Sequence, residues 1–312
     1  MFIRQLRYLV ALARECHFAR AAAACHVSQP TLSAGLHKLE CELGVRIIER
    51  TPQFRGFTPE GERVLIWAQR ILADWQALVQ DVSEESREGL QGTVRLGVVP
   101  AALPAVGVLV EEFCARYPAT RVLIQQMSSR SIEQRLAEFE LDAGLTYLDN
   151  EPLKEVIAQP LYREHYVFLT AVDGPWSGVR CVSWREIKDV PLCLLSQDMQ
   201  MRRILDAAFR SAGVVPCTVV EANSFIALYS LVRAGPWSSV FSHTFLTLFG
   251  VPPSVRALPP TDPAPAPTLG LVVLNREPVS PIARAQLAAT ENLTLQPHFD
   301  TNSLPPDSTT SI

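Results

Sequence analysis

Pro30 falls four residues after an alanine-rich segment, "FARAAAACH" at 18–26, and directly before a row of leucines. Proline has no amide hydrogen and clashes with the preceding helical turn, so it is excluded from the interior of a regular helix. It is favoured in the first turn of a helix, and Ser28 is a good N-cap for a helix that starts there. The proline therefore predicts that one helix ends near residue 26 and that another begins behind Ser28.

The residues behind Pro30 predict an amphipathic helix. Leucines recur at spacings of four, three and four, and Gly44 is suited to end the helix; the leucines are Leu32, Leu36, Leu39 and Leu43. Residues 3–14, "IRQLRYLVALAR", predict an earlier helix of the same kind. Two helices joined by so short a turn have the geometry of a helix-turn-helix, or simply of two packed helices in an ordinary helical domain.

In a DNA-binding helix-turn-helix, the second helix presents its N-terminal turn to the major groove. On that turn the chain offers polar side chains that can bind base edges or phosphates: Gln29, Thr31, Ser33, His37 and Lys38. The charge distribution supports this hypothesis. Residues 1–60 contain eight Lys and Arg against five Glu, a net +3, so the remainder of this −4 chain carries −7. A basic end on an acidic body is typical of an anion-binding module joined to another domain.

The whole stretch "FARAAAACHVSQPTLSAGLHKLECELGVRIIERT" closely resembles the winged helix-turn-helix of the LysR-type transcriptional regulators. The family pattern is matched at thirteen positions: Phe18, Ala21, Ala22, Ser28, Gln29, Pro30, Leu32, Ser33, Leu39, Glu40, Leu43, Gly44 and Arg50. The resemblance implies that Ser28, Gln29, Pro30, Thr31 and Ser33 face the major groove, and that His37 and Lys38 contribute further along the helix. Arg50 and Arg55 would belong to the wing, near phosphates or the minor groove.

Ala34-Gly35 departs from the family pattern, in which an Arg-Gln pair is frequent. Neither residue can reach a base, and glycine inside a helix costs on the order of 1 kcal/mol. We therefore expect fewer direct base contacts and a greater dependence on phosphates and DNA shape.

A long helix is predicted to follow the helix-turn-helix, with Thr58 as N-cap and Pro59 as its first residue. Its apolar residues keep heptad spacing and define a predicted dimerisation seam: Val64, Ala68, Ile71, Trp75, Leu78 and Val82. The alternative is that this helix packs on its own chain. The family resemblance favours a linker helix that pairs with a second copy, giving a dimer or a dimer of dimers that reads two half-sites.

From residue 93 onward, short β-rich runs alternate with helical stretches, which predicts open α/β sheets. Predicted strands lie near 93–99, 120–126, 142–147, 165–171, 190–195, 217–221, 236–241 and 268–274. Predicted helices lie near 103–116, 131–140, 199–212, 223–234 and 279–292. This order resembles the two-lobed, periplasmic-binding-protein-like effector domain of the same family.

The expected fold class is thus a multidomain α/β protein: a winged helix-turn-helix at 1–58, a linker helix at 59–90 and an effector domain at 91–295. Its first lobe would span about 91–163 and 268–295, its second about 164–267. Residues 296–312 are predicted to form a flexible tail.

Ligands of open α/β sheets bind beyond the carboxyl ends of the strands, often against helix N-termini. Carried onto this chain by the family resemblance, those positions are Pro100, Ala101, Ala102, Ser128, Ser129, Arg130, Thr146, Tyr147, Ser196, Asn223, Ser224 and Phe225. Several of them could instead only cap their own helices. The small side chains indicate a small carboxylate effector. The segment "FELDAGLTYLDNEPL" (139–153) also resembles regulators found beside formate dehydrogenase operons.

Other functions were weighed. Cys181 and Cys193 could form a peroxide-sensing pair, as in one branch of the family, although no basic cluster flanks them. A solute-binding protein would leave the first 90 residues without a purpose, and a cytosolic enzyme would need a nucleophile, base or metal arrangement that the sequence lacks. We expect no metal and no cofactor. The expected partners are promoter DNA, a small effector, a second copy of the chain and RNA polymerase. With no secretory signal and no apolar run of about 20 residues, we expect a cytoplasmic protein without membrane association.

Overall fold

The computed structural model describes residues 3–49, 54–84, 90–151, 153–176, 178–261 and 264–300. It divides into two compact units that separate after Leu90. The first contains Met1–Leu90 and Ala137–Glu140, and the second contains Gln91–Leu136 and Leu141–Ile312. Among the described residues, no helix combines the length and the hydropathy that a bilayer crossing requires.

The first unit is helical. Its helices are α1 (Ile3–Glu15), α2 (Phe18–Ala24), α3 (Gln29–Leu43) and α4 (Pro59–Glu84). The predicted start and end of α3 are confirmed, because Ser28 is its N-cap and Gly44 ends it with a left-handed φ of 68°. The buried faces of the first three helices share one core, whose fully buried members include Leu9, Leu12, Ala21, Leu32 and Leu39.

A short antiparallel bridge between Ile48 and Phe57 forms the base of the wing. The carboxylate of Glu40, on α3, accepts hydrogen bonds from the backbone N–H groups of Ile47 (2.8 Å) and Ile48 (3.2 Å). Because charge-assisted bonds of this kind are about twice as strong as neutral ones, Glu40 fixes the chain where it leaves the helix. The predicted cap of α4 is confirmed, since the Thr58 hydroxyl accepts from the Gly61 N–H at 2.9 Å.

The predicted dimerisation seam on α4 has a part that packs on its own unit and a part that is exposed. Ala68 is buried in the core of its own unit, and Val64 and Ile71 pack against that core. These three are therefore corrected from dimer contacts to internal packing, because α4 lies against α1 along its first turns. Further along the helix, Trp75 (43% exposed), Leu78 (55%) and Val82 (60%) lie at the surface. The heptad spacing by itself did not show which surface covers each half of the helix.

The second unit is built on three sheets. The largest has the strand order β2-β1-β3-β10-β4, with β1 (Gly92–Val98), β2 (Thr120–Gln126), β3 (Ala143–Tyr147), β4 (Val156–Arg163) and β10 (Thr268–Leu274). The first three strands are parallel, and β10 runs antiparallel between β3 and β4. With helices α5 (Leu103–Arg116), α6 (Ser129–Ala137) and α10 (Pro281–Thr290), this sheet forms lobe 1.

Lobe 2 contains a sheet of order β8-β5-β9 and the parallel pair β6-β7. Its strands are β5 (Tyr166–Ala171), β6 (Leu192–Leu195), β7 (Thr218–Ala222), β8 (Ser239–Ser242) and β9 (Val255–Leu258). Its helices are α7 (Gln200–Ser211), α8 (Phe225–Ala234) and α9 (Thr244–Phe249). An isolated bridge between Leu192 and Ser238 sets β6 beside the start of β8, which leaves β7 at the edge.

Four helices and strands of the structure were not predicted: β4, β9, α9 and a last helix, α11 (Gln296–Asp300). The tail is therefore corrected, because α11 lies against β4 with Phe299 fully buried and the Gln296 amide oxygen accepting from Arg163 N–H at 2.7 Å. Residues 301–312 of the predicted tail lie outside the described residues. The predicted helix at 131–140 begins and ends earlier, at Ser129–Ala137, because the Ser128 hydroxyl caps it.

Candidate functional sites: a DNA-reading turn and an effector pocket

The first turn of α3 is held by a hydroxyl pair. The Ser28 hydroxyl accepts from the Thr31 N–H at 3.4 Å and lies 2.8 Å from the Thr31 hydroxyl. Pro30 occupies the turn without an amide hydrogen to satisfy. The sequence thus builds a rigid helix start, which is what a groove-reading turn requires.

The predicted DNA-contacting side chains are accessible. Ser28, Gln29, Pro30 and Thr31 are exposed, Ser33 is half-buried, and His37, Lys38 and Arg55 are exposed. Arg50 lies outside the described residues. Some of these groups already have local partners: the hydroxyls of Thr31 and Ser28 face each other, and one nitrogen of His37 lies 3.6 Å from the Glu40 carboxylate. Gln29 has the amide that can make a bidentate contact with an adenine edge.

The packing of α1 against α3 explains why position 35 is a glycine, which the sequence alone did not. A Cβ atom at this position would lie 2.7 and 2.8 Å from two ring carbons of Tyr8, which is buried on α1. The glycine lets the tyrosine ring lie against the backbone of α3. The absence of a long side chain at position 35 therefore serves the contact between α1 and α3.

Replacing Gly35 with alanine is expected to destabilise the first unit by about 1–2 kcal/mol, because overpacking the buried ring outweighs the gain of about 1 kcal/mol in helix propensity. In a Tyr8→Leu background the same change should be neutral or stabilising, since the two ring atoms are gone. A double-mutant cycle measured by thermal unfolding checks this. Equal effects of Gly35→Ala in both backgrounds would contradict the packing argument.

In the second unit, a pocket of about 220 Å³ lies between the lobes. Lobe 1 contributes Val99, Pro100, Ala101, Ser128, Ser129 and Tyr147, and lobe 2 contributes Leu195, Met199, Gln200 and Met201. Two contacts hold the lobes together beside it. The Gln200 amide donates to the Asp149 carbonyl at 3.2 Å, and the Arg203 guanidinium makes two 2.6 Å bonds to Glu151. The second of these holds the pKa of Glu151 below its ordinary value.

The pocket wall has polar atoms that are buried and without a hydrogen-bond partner in the described part of the chain. They are the Ser129 hydroxyl and the side-chain oxygen of Gln200, and close to the pocket the hydroxyls of Thr146 and Ser196. Leaving such groups unsatisfied costs about 1–3 kcal/mol each. None of the lining residues is charged. The arrangement therefore fits a small polar ligand whose atoms satisfy the hydroxyl and the amide oxygen.

Five of the predicted effector residues line this pocket: Pro100, Ala101, Ser128, Ser129 and Tyr147. Seven do not: Ala102, Arg130, Thr146, Ser196, Asn223, Ser224 and Phe225. Ala102 and Thr146 are buried behind the wall, Arg130 is exposed, and the loop at 223–224 follows the edge strand β7, one strand further from the cleft. Met199, Gln200 and Met201 were missed, although they too begin a helix after a strand. These three side chains carry no hydroxyl group, so they gave no sign of an anion site in the sequence.

Behind Tyr147 lies the buried carboxyl group of Glu164. The Tyr147 hydroxyl donates to it at 2.8 Å. Burial raises the pKa of Glu164 to about 7, against the lowering effect of hydrogen bonds from Ser242, Tyr147 and Tyr166. A lone acidic residue within "YREHY" gave no sequence signal of such a site.

The cysteines of the redox hypothesis are not paired. All seven are free, with Cys181 exposed and Cys193 buried. Burial raises the pKa of the Cys193 thiol, and its sulfur lies 3.4 Å from the Ser238 carbonyl oxygen. Because the thiolate is the reactive form, Cys193 is a poor nucleophile. Within the described residues, no group of three or more His, Cys, Asp or Glu could hold a metal ion.

The helix-turn-helix and the two-lobed α/β unit together define a ligand-responsive DNA-binding protein. The family model of the bacterial regulatory helix-turn-helix proteins of the lysR family matches residues 3–62, and that of the LysR substrate binding domain matches 87–293. The chain belongs to the LysR family of DNA-binding transcriptional regulators and is not an enzyme.

Among curated proteins, it is similar to the "DNA-binding transcriptional dual regulator OxyR" of Escherichia coli K12, at 32% identity over 308 residues, 96% of this chain and 98% of that one. A probable hydrogen peroxide-inducible genes activator of Streptomyces viridosporus is 32% identical over 78% of each chain. Among solved structures, a full-length OxyR variant from Pseudomonas aeruginosa has a TM-score of 0.74 at 28% identity, covering 95% and 98% of the chains. CbnR bound to its target DNA has a TM-score of 0.66 at 19% identity, covering 94% and 100%, a likeness of fold alone.

Proposed function

We propose that this chain is a cytoplasmic LysR-type regulator that binds promoter DNA through the first turn of α3 and responds to a small carboxylate in the pocket between its lobes. The observation that carries the DNA part is the exposed, capped start of α3. Gln29 would contact base edges, and Thr31 and Ser33 would support it. Arg55 and Lys38 would bind phosphates, which position the protein without selecting a sequence.

The protein would act as a dimer or a dimer of dimers, so that two copies of α3 read two half-sites. The exposed apolar residues of the second half of α4 support this proposal: Trp75 and Leu78, with Val82 one turn further. Apolar side chains at heptad spacing are the usual contacts of paired helices. A ligand in the pocket would then shift the arrangement of the DNA-binding heads, provided that it binds one arrangement more tightly than the other.

The carboxylate proposal follows from the hydroxyl donors of the pocket, since an ionised carboxylate has no proton for the side-chain oxygen of Gln200. Ser128 and Ser129 lie at the start of α6, where backbone N–H groups and the helix dipole favour an anion. The buried Ser129 hydroxyl can donate to such a ligand, and the enclosed part of the pocket is small. The resemblance of segment 139–153 to regulators beside formate dehydrogenase operons suggests formate itself as the first candidate.

The names of the relatives raise peroxide sensing as a second candidate. The Streptomyces protein is named as a probable activator of hydrogen peroxide-inducible genes. A pair of Cys181 and Cys193 is not the route that the geometry favours, because Cys193 is buried and burial raises the pKa of its thiol. We therefore place the carboxylate first.

A gel-shift experiment with DNA from upstream of the gene tests the DNA proposal. Retardation should weaken steeply as salt rises, because phosphate contacts release counterions. Gln29→Ala should reduce the preference for the target over unrelated DNA by roughly 1–3 kcal/mol, whereas Arg55→Ala should weaken both about equally. Absence of retardation at low salt would refute the proposal, and identical behaviour of the two variants would refute the division of roles.

A further inference from the structure

Glu164 lies where the chain first passes from lobe 1 to lobe 2. Its backbone N–H donates at 2.9 Å to the carbonyl of Pro267, which lies on the return passage. The two crossings are therefore bonded to each other at this residue. The Glu164 side chain is fully buried between them. A carboxyl group at the hinge of two lobes is placed to respond to their arrangement.

The groups around this carboxyl are hydroxyls. Tyr147 from β3 donates to one oxygen at 2.8 Å, and the hydroxyls of Tyr166 from β5 and Ser242 from β8 are close enough to lower the pKa of the group. Among the described residues, its other oxygen has no hydrogen-bond partner. No Lys or Arg is among the described groups that act on it, so ionisation leaves an uncompensated charge in the interior. Burial of such a charge favours the protonated form.

One hydrogen bond links Glu164 directly to the pocket wall, through Tyr147. Tyr147 is itself a lining residue. On the other side, the Ser242 hydroxyl lies 2.8 Å from that of Thr244, which donates at 3.5 Å to the carbonyl of Ala101, a second lining residue. A single residue, Tyr147, therefore separates the Glu164 carboxyl group from a ligand in the pocket.

The Tyr147 hydroxyl has one proton to donate. When Glu164 is ionised, this proton points to the carboxylate. When Glu164 is protonated, the tyrosine oxygen can accept from it and the tyrosine proton can turn to a ligand in the pocket. We propose that Glu164 carries the proton that the pocket takes up when it binds a small carboxylate, so that ligand binding and protonation at the hinge occur together. This inference rests on the proposed carboxylate effector.

Four other titratable groups near Glu164 keep one protonation state over pH 6–8.5. Burial raises the pKa values of Tyr147, Tyr162 and Tyr166 well above their ordinary value, so all three stay neutral. Burial lowers the pKa of His243 to about 4, and its ring faces His165 and Phe299, with Asp300 near. His165 and Arg163 flank Glu164 in the chain and are exposed, and the Arg163 guanidinium donates to the Ala266 carbonyl.

Titration calorimetry of formate into the full-length protein at pH 6.0 to 8.5 tests the inference. Formate stays ionised throughout this range. With a pKa of about 7 for Glu164, the wild-type affinity should fall roughly tenfold per pH unit above pH 7, about 30-fold at pH 8.5. In buffers of different ionisation enthalpy, binding at pH 8 should take up close to one proton. Glu164→Gln, which donates to Tyr147 at every pH, should bind with unchanged affinity across the range and take up none.

Two control variants should keep the wild-type slope: Glu112→Gln, an exposed carboxylate on α5, and His165→Asn, the neighbouring imidazole. Tyr147→Phe should weaken binding at pH 6 and lose the slope, since the relay is removed. Binding of formate with a flat pH profile, or a wild-type slope in Glu164→Gln, would contradict the inference alone. Absence of binding by wild type and Glu164→Gln at pH 6, for formate and acetate alike, would contradict the carboxylate proposal and the inference together.

Discussion

Glu164→Gln is expected to melt at a higher temperature than the wild-type protein at pH 8, and at nearly the same temperature at pH 4.5. Burial raises the pKa of Glu164 to about 7 in the folded protein, whereas the ordinary value is 4.5. The difference makes ionisation cost about 3 kcal/mol of folding free energy. For a unit of roughly 200 residues this corresponds to a melting shift of about 6–12 °C.

The direction of this dependence follows from the raised pKa. Below pH 4.5 the folded and unfolded chains both hold the proton, and the contribution of the protonated carboxyl to stability is fully present. Between pH 4.5 and about 7 only the folded chain holds it, so stability falls as pH rises, and above pH 7 the loss is complete. Glutamine cannot ionise, and its amide N–H can donate to Tyr147 as the protonated carboxyl does.

Scanning calorimetry of the full chain at several pH values measures this effect, because it resolves the transitions of the two units. Glu112→Gln is the matched control, since Glu112 is exposed, and it should follow the wild-type curve. A Glu164→Gln protein whose melting temperature tracks the wild type from pH 4.5 to pH 8 would show that this carboxyl does not titrate between those values.

Gly61→Ala is expected to cost about 3 kcal/mol or more and to abolish DNA retardation. A Cβ atom at Gly61 would lie 2.1 Å from the carbonyl oxygen of Ile47 and 2.9 Å from its carbonyl carbon. These are backbone atoms, which cannot move aside as the end of a flexible side chain can. The Ile47 carbonyl also accepts from Thr58 at 2.9 Å, and its N–H is held by Glu40. The clash therefore separates the start of α4 from the wing, and overpacking of this kind exceeds the gain in helix propensity.

Gly107→Ala provides the control for Gly61→Ala. Gly107 lies on the exposed face of α5, and a Cβ atom there meets nothing within 4 Å. Alanine at 107 should stabilise the second unit by about 1 kcal/mol, because it only lowers the cost of forming the helix. Thermal unfolding and a gel shift of both variants check the pair. A folded, DNA-binding Gly61→Ala protein would refute the close approach of α4 to Ile47.

The DNA-reading turn could be predicted from the sequence because its signals are local. Ser28, Pro30 and Gly44 each act within one helical turn, and together they give the observed start and end of α3. The helix on which they lie needs no distant partner to be recognised. Strands β1 and β10 were also predicted, because their buried apolar runs stand out against polar turns.

The missed elements have physical reasons. Strand β4 contains Pro160, which lacks the N–H that a central strand needs, and the strand is tolerated because it lies at the edge of its sheet. The half of α4 that packs on its own unit has the same heptad spacing as the half that does not. The hydroxyl groups around Glu164 come from three strands, β3, β5 and β8, and no spacing along the chain brings them together.

The position of β10 has a consequence for synthesis of the protein. Among the residues that the structure describes, β4 pairs only with β10, and β10 also closes the sheet against β3. A ribosome that has released the first 163 residues has delivered four of the five strands of lobe 1, yet the fourth has no neighbour until residue 274 emerges. The sheet of lobe 1 therefore stays unfinished in the nascent chain while the whole of lobe 2 is translated. A stop codon anywhere before position 268 leaves both lobes without a completed hinge.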